Sequence, residues 1–367
     1  MTEPTPEQLT GTKELVAKWK KLRVRRLVRT RAADITPLNT AWAWQGRLPL
    51  GAVSLFVGQP GLGKSTLTTE LAAQITRGKL EGDLYGTPRT VLIATAEDAL
   101  AQTVVPRLTA AEADLDRIEF VTISEDGIAG SVALPDDVAH IAEAAKATEA
   151  RMLVLDPLVA LLPGKIDAHR DQDVRLAIAP LAKLAEEEDI AVVGIFHLNK
   201  GQSRDVLMRA SGSIAFVAAA RSVLLLAADP GDADGERGRE RILAHRKCSV
   251  GPATRSLTCR IEGRELLGEN GVISTSRLMI VGESDLDAAD LLGGSAPDEE
   301  ASALAEAVAF LQQELAAVER CTSKTIHRKA REAGHTKRTL ERAKRQLGVK
   351  AVRRYSEWWW ELPEDAA

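Results

Sequence analysis

The stretch Gly58-Gln59-Pro60-Gly61-Leu62-Gly63-Lys64-Ser65, followed by Thr66, meets the pattern G-x-x-x-x-G-K-[ST] in full. Such a loop works only between a strand and a helix, so it constrains the fold around it. Both flanks conform. Val53 to Val57 is a short apolar, β-prone run, and Thr66 to Thr76 reads as a helix. The glycines let backbone N–H groups turn toward a phosphate, which then sits on the positive end of the helix. Lys64 would reach the β- and γ-phosphates, and the Ser65 hydroxyl would hold Mg²⁺. The expected chemistry is nucleoside triphosphate hydrolysis, with ATP and Mg²⁺ as the bound species and Gly58 to Thr66 as the cradle.

A second carboxylate is needed for the metal. Arg151 to Leu155 is a buried strand, and Asp156 ends it, in position to hold Mg²⁺ through water or Ser65. Pro157 follows where a glutamate would have supplied a base to position the attacking water. That acid must come from another strand end, and Glu97, just past the strand Arg89 to Thr95, is the candidate.

The remaining chain reads as alternating strands and helices up to about residue 200. Asp136 to Ala150 and Asp171 to Glu188 are helices; Ile118 to Ile123 and Ile190 to Phe196 are strands, the last running into His197-Leu198-Asn199-Lys200. This alternation predicts an α/β fold with a parallel sheet covered on both faces, its ligands at the carboxyl ends of the strands. From Ser222 the runs SVLLLAA, RILAHRKC, LTCRIEG and RLMIVG follow without intervening helices and read as antiparallel strands extending the sheet. Trp42 and Trp44, just ahead of the phosphate-loop strand, are expected to cap a core edge.

The formal net charge of −4 conceals basic ends and an acidic middle. Lys13 to Arg31 carries nine Lys or Arg against one acid, and Arg320 to Arg354 carries thirteen against two. Basic ends on an acidic chain suit contact with a polyanion. The first run is partly amphipathic and reads equally as a helix docking on a neighbouring subunit, a nucleic-acid contact or a solvated lead into the core. Residues 1–30 form this basic segment, 31–282 the ATPase core, 283–300 an acidic linker with Gly, Ser and Pro, and 301–367 a second small domain.

That small domain reads as three helices followed by the β-prone VKAVRRYSEWWWELP. Thr322 and Thr336 are expected N-caps, and Gly334 and Gly348 expected C-caps. Two short helices with a tight turn between them, the second basic, predict a helix-turn-helix, and the segment after them predicts a wing. Lys337, Arg338, Arg342 and Arg345 would then contact duplex DNA, with some of Trp358 to Trp360 serving as core. Cys248, Cys259 and Cys321 are widely spaced and suggest neither a disulfide framework nor a zinc site. No apolar run reaches membrane-spanning length, and no signal-peptide core appears at the N-terminus, so the expected location is the cytoplasm.

Taken together, the phosphate loop, Glu97 after the next strand, Asp156 without an adjacent glutamate, and FHLNK at a later strand end resemble the RecA-like ATPases. Within them, WAWQGRLPLG before the loop and Gly212 to Phe216 followed by Ala218 to Arg221 resemble the RepA-type hexameric plasmid helicases, often filed as AAA-type ATPases. The resemblance covers roughly residues 30–282. It implies that His197 senses the γ-phosphate, and that Arg221 reaches into a neighbouring subunit's site. Lys247, before Gly251-Pro252, resembles the lysine that does a similar job in DnaB-type helicases, though Ser249 stands where their pattern has an arginine. It further implies a ring, a hexamer, with single-stranded DNA in its channel. The loops Pro163 to Arg175 and Lys200 to Arg209 would line that channel, with Lys200, Arg204 and Arg209 on the phosphate backbone. The function so implied is a replicative DNA helicase; a RecA/RadA-type recombination ATPase and an ATP-switched DNA-binding regulator are the alternatives.

Overall fold

The computed structural model describes residues 27, 29–164, 166–168, 170–198, 214–269, 271–291, 297–317, 321–354 and 357–362. The chain divides into two compact units, Met1–Asn39 and Thr40–Ala367. In the first, the described residues make one 3-10 turn, Ala32–Asp34, beside an exposed Arg31–Asp34 ion pair. The basic run before Leu27 lies outside the described residues.

The second unit opens with a hairpin of β1 (Trp42–Trp44) and β2 (Leu48–Pro49). Then follow β3 (Ala52–Gly58), α1 (Lys64–Thr76), β4 (Val91–Thr95), α2 (Val105–Ala110), β5 (Ile118–Phe120), β6 (Ile123–Glu125), β7 (Ile128–Gly130), α3 (Val138–Thr148) and β8 (Met152–Asp156). After these come α4 (Asp171–Glu188), β9 (Ala191–His197), α5 (Ile214–Ala219), β10 (Ser222–Ala228), β11 (Glu240–Cys248), β12 (Ser256–Gly268) and β13 (Gly271–Ser284). Nine of the strands form one sheet in the order β13-β12-β11-β10-β3-β9-β8-β4-β5. From β10 to β5 all neighbours are parallel, and from β10 to β13 all are antiparallel.

The sheet is buried on both faces because its central strands are apolar at nearly every position, Ser54 of β3 and His197 of β9 being the exceptions. Val53, Leu55 and Val57 of β3 point into one core with α3 and α4, while Phe56 points into the other with α1 and the tryptophan hairpin. Trp42 and Trp44 are buried there, as the sequence suggested for a core edge. Two boundaries differ from expectation. The strand expected over Ile118–Ile123 ends at Phe120, and Ile123 opens the separate β6–β7 hairpin. The helix expected from Asp136 begins at Val138, because the Asp137 carboxylate turns back to accept from the Ala133 N–H at 2.7 Å.

The C-terminal elements are α6 (Pro297–Ala317), β14 (Cys321–Thr322), α7 (Ser323–Glu332), α8 (Lys337–Gln346), β15 (Lys350–Arg354) and β16 (Glu357–Glu361). The three strands form an antiparallel sheet ordered β14-β16-β15. Thr322 and Thr336 cap α7 and α8 by accepting from the N–H groups three residues on, and Gly334 and Gly348 take the left-handed conformation past each helix. The core between them holds Leu311, Leu315, Ile326, Leu340 and Trp360. Trp358 and Trp360, two residues apart, share one face of β16; Trp360 is buried in this core, whereas Trp358, nearer the β15–β16 turn, is 47% exposed.

Candidate nucleotide site

The site begins with parallel register. Gly58 of β3 stands opposite His197 of β9, and Thr95 of β4 opposite Asp156 of β8. The carboxyl ends of four adjacent parallel strands therefore lie side by side, β9 and β3 running slightly beyond β8 and β4, and the turns beyond them share one opening. A cleft of about 300 Å³ lies there, lined by the phosphate loop, Thr95, Glu97, Asp98, Asp156 and His197. The sequence placed Glu97, Asp156 and His197 at strand ends; the strand order brings all three to the loop.

Local geometry explains the loop's glycines. Gly61 and Gly63 have φ of +80° and +94°, values that L side chains rarely adopt. A Cβ at Gly58 would collide with the Leu226 carbonyl, whereas one at Gly61 would meet nothing, so the loop is tight behind and open in front. Lys64 opens α1, is 3% exposed, and donates to the Gly58 and Gln59 carbonyls at 3.0 and 2.8 Å. Burial pulls its ammonium down to about 8, against the partial support of Asp156 and Glu97. Burial likewise pushes the Asp156 carboxyl up to about 6, helped by Asp98 and Glu97 and opposed by a hydrogen bond from Ser65.

These residues suit a Mg²⁺–nucleoside triphosphate. A buried cation and a half-buried carboxylate, each costly to ionise, face one cleft at a helix N-terminus, and Ser65, next to Lys64, hydrogen-bonds to Asp156. Ser65 and Asp156 could hold the metal. Glu97 is 62% exposed at the mouth, 3.9 Å from the His197 ring. Burial, then the Lys64 charge, lowers the His197 pKa, and its buried Nδ1 has no partner among the described residues.

Three features were not anticipated. Arg241 of β11, 5% exposed, donates from Nε to the Leu62 carbonyl at 3.2 Å and so ties the antiparallel extension to the phosphate loop. Arg107 of α2 holds Asp98 at 2.7 Å beside Glu97. Arg277 of β13 forms a two-point ion pair with Glu70 of α1, at 2.8 and 3.2 Å. Arg241 and Arg277 come from elements far away in sequence, and no local spacing signals them.

The two expected in-trans cations sit differently. Lys247 donates to the Val217, Ala218 and Ala220 carbonyls at 2.7 to 3.1 Å, closing the C-terminal end of α5. Arg221 is exposed, with no side-chain partner among the described residues. Lys200, Arg204 and Arg209 lie outside the described residues. In the C-terminal part, Lys337, Arg338 and Arg342 are half-buried, and Arg345 pairs at 2.8 Å with Asp229, which is 1% exposed.

Among the described residues no helix is long and apolar enough to cross a membrane. Among curated proteins, none matches the chain. One similar solved structure is the ATPase domain of another protein, 14% identical, covering 71% of this chain and 96% of that one with a TM-score of 0.45. A family model described as an AAA domain matches residues 20–203, a span holding the phosphate loop, Glu97, Asp156 and His197. With that match over half its length, the chain belongs to the AAA domain family.

Proposed function

We propose that this protein is an ATP-dependent DNA motor, a RepA-like hexameric replicative helicase that hydrolyses ATP to move along single-stranded DNA. The convergence of Lys64, Ser65, Glu97, Asp156 and His197 on one cleft carries the ATPase part of this reading. Ser65 and Asp156 would hold Mg²⁺, which would supply charge neutralisation at the phosphates. Lys64 would leave its loop carbonyls for the nucleotide's phosphate oxygens. Glu97, exposed at the mouth, orients and deprotonates the attacking water, with Arg107 holding Asp98 aside. His197 lies 3.9 Å from Glu97 and feels the Lys64 charge, which suits a residue relaying the state of the γ-phosphate into the segment after β9.

Of the two cations, Arg221 fits the in-trans role, since it is exposed and has no side-chain partner among the described residues, whereas Lys247 is committed to α5. A cation supplied by a neighbour makes hydrolysis depend on assembly and supports the ring. The element order of the C-terminal part, with one strand after the first helix and a hairpin after the third, supports a winged-helix module that contacts DNA. Lys337, Arg338, Arg342 and Arg345 on α8 are its candidate duplex contacts, and α8 would need to leave Asp229 to enter a groove.

The deciding experiment measures ATP hydrolysis with and without single-stranded DNA for wild type and Glu97→Gln, with mass determined alongside. Severalfold stimulation of a hexamer, abolished in Glu97→Gln, is the expected result, followed by strand displacement. Hydrolysis indifferent to single-stranded DNA, together with tight binding to one duplex sequence, would establish the ATP-switched regulator instead.

A further inference from the structure

The helix expected to read duplex DNA is not the open basic surface of the C-terminal module. From Lys337 to Lys344 no residue of α8 is exposed. Arg345 is held by Asp229, and Lys344 lies over the Trp360 ring at 4.3 Å. Three exposed cations are on α7, besides Lys350, Arg353 and Arg354 on β15. Lys324, Arg328 and Arg331 recur at i, i+4 and i+7 and form one stripe along that helix, roughly 10 Å from end to end.

The stripe borders a groove of about 630 Å³ that Lys337 and Trp358 of β16 also line, the latter 47% exposed. Arg255, just ahead of β12, lines it as well. Two of the groove's three carboxylates are already matched, Asp285 by Arg255 and Glu332 by Arg328. Lys324, Arg331 and Lys337 have no hydrogen-bond or ion-pair partner for their side chains among the described residues. Burial lowers the pKa of the adjacent His327, which leaves the charge of the groove to the lysines and arginines.

We propose that this groove binds single-stranded nucleic acid, with the phosphates along Lys324 and Arg331 and a base stacked on Trp358. Unpaired cations beside one exposed indole are the two parts such binding needs: a charged track for the backbone and a flat apolar face for a base. A duplex keeps its base faces stacked within itself and would leave Trp358 unused. A stripe of this length matches about three stacked nucleotides at roughly 3.4 Å each. The proposal rests on the reading that the protein acts on DNA, and gives the C-terminal module a place on the unpaired strand.

The test uses the full chain and a fluorescein-labelled oligothymidylate of about twenty nucleotides, read by anisotropy at several salt concentrations, with the same sequence as a duplex for comparison. Lys324→Glu with Arg331→Glu should weaken single-strand binding at least tenfold and make the salt slope shallower by about 1.4, two single-strand phosphate contacts' worth. Trp358→Ala should weaken it by about tenfold, and Trp358→Phe should restore most of that. Thymine-to-protein photocrosslinks should map to the β16 peptide in wild type. Unchanged melting temperature and DNA-free ATP hydrolysis would show the variants folded. Variants that bind the single strand with wild-type affinity and slope, or crosslinks confined to the segments after β8 and β9, overturn the groove and leave the motor reading intact. Tighter binding to duplex than to the single strand, lost in the same variants, overturns the single-strand assignment. Wild type that binds neither probe overturns the DNA reading and the groove with it.

Discussion

Arg277 and Glu70 join the last strand of the sheet to the helix that carries the phosphate loop, and removing one partner should cost far more than removing both. Glu70 is 3% exposed and Arg277 13%, so the pair is shielded from water. In Arg277→Met the Glu70 carboxylate stays buried with one remaining hydrogen bond, from Gln74 at 3.0 Å. An uncompensated buried charge costs about 3–5 kcal/mol, and that residual bond puts the expectation at the low end, about 3. In Glu70→Leu the guanidinium keeps a neighbour in Glu112, 3.5 Å away and 66% exposed, so a smaller loss of roughly 1–2 kcal/mol is expected. The double variant replaces an ion pair by packed side chains of similar volume and should return to within about 1 kcal/mol of wild type. Urea unfolding of the four proteins gives the cycle, with an expected coupling energy of about 3 kcal/mol. Single variants each losing less than about 1 kcal/mol, and adding in the double, would refute the reasoning: the pair would then be solvated, and the clamp on α1 would be apolar.

Nucleotide binding should be bell-shaped in pH. Asp156 at about 6 lies above its ordinary 3.8, so between those values the folded chain keeps a proton the unfolded chain has lost, and stability falls as pH rises. Lys64 at about 8 lies below 10.5, so between those values the unfolded chain keeps the extra proton and stability rises with pH. The charges Mg²⁺–ATP needs coexist between about 6 and 8, and titration with a fluorescent ATP analogue should show affinity falling on both sides, the acid limb missing in Asp156→Asn. Arg221→Ala should lower hydrolysis on the order of 10³-fold without affecting the melting temperature, whereas Lys247→Met should lower the melting temperature first, by stripping the end of α5 of its cap. Gly231→Ala places a Cβ against the Arg345 guanidinium and should displace it from Asp229. Faster limited proteolysis within residues 292–300 is the expected sign, and an unchanged cleavage rate would refute it.

Much of the site was legible because its parts are local. A phosphate loop declares itself over eight residues, and Glu97, Asp156 and His197 were found by asking which polar residues end apolar strands. The caps at Thr322 and Thr336 were legible for the same reason: capping is decided within one turn. What stayed hidden is what joins distant elements. Nothing near Arg241 or Arg277 marks either as a partner of the loop or of α1, since both sit in strands where alternation predicts an outward charge. The basic helix α8 shows the converse, because a charged sequence announces a surface but not what covers it: Arg338 and Arg342 are half-buried and Arg345 is held by Asp229, while an exposed stripe lies on α7.

The register of the sheet also sets the order in which this protein can come into being. β3 is made early, yet its two neighbours are β9 and β10, and Gly58 finds its partner only at His197. During synthesis the strand that leads into the phosphate loop must therefore wait, unpaired on both edges, while well over a hundred residues emerge. A chain arrested before β10 exposes an apolar strand and cannot form the cradle, so the nascent protein depends on holding that segment apart from others of its kind. Fusing a slow-translated stretch just before Ser222 would lengthen the wait, and fusing it after Ser284 would not.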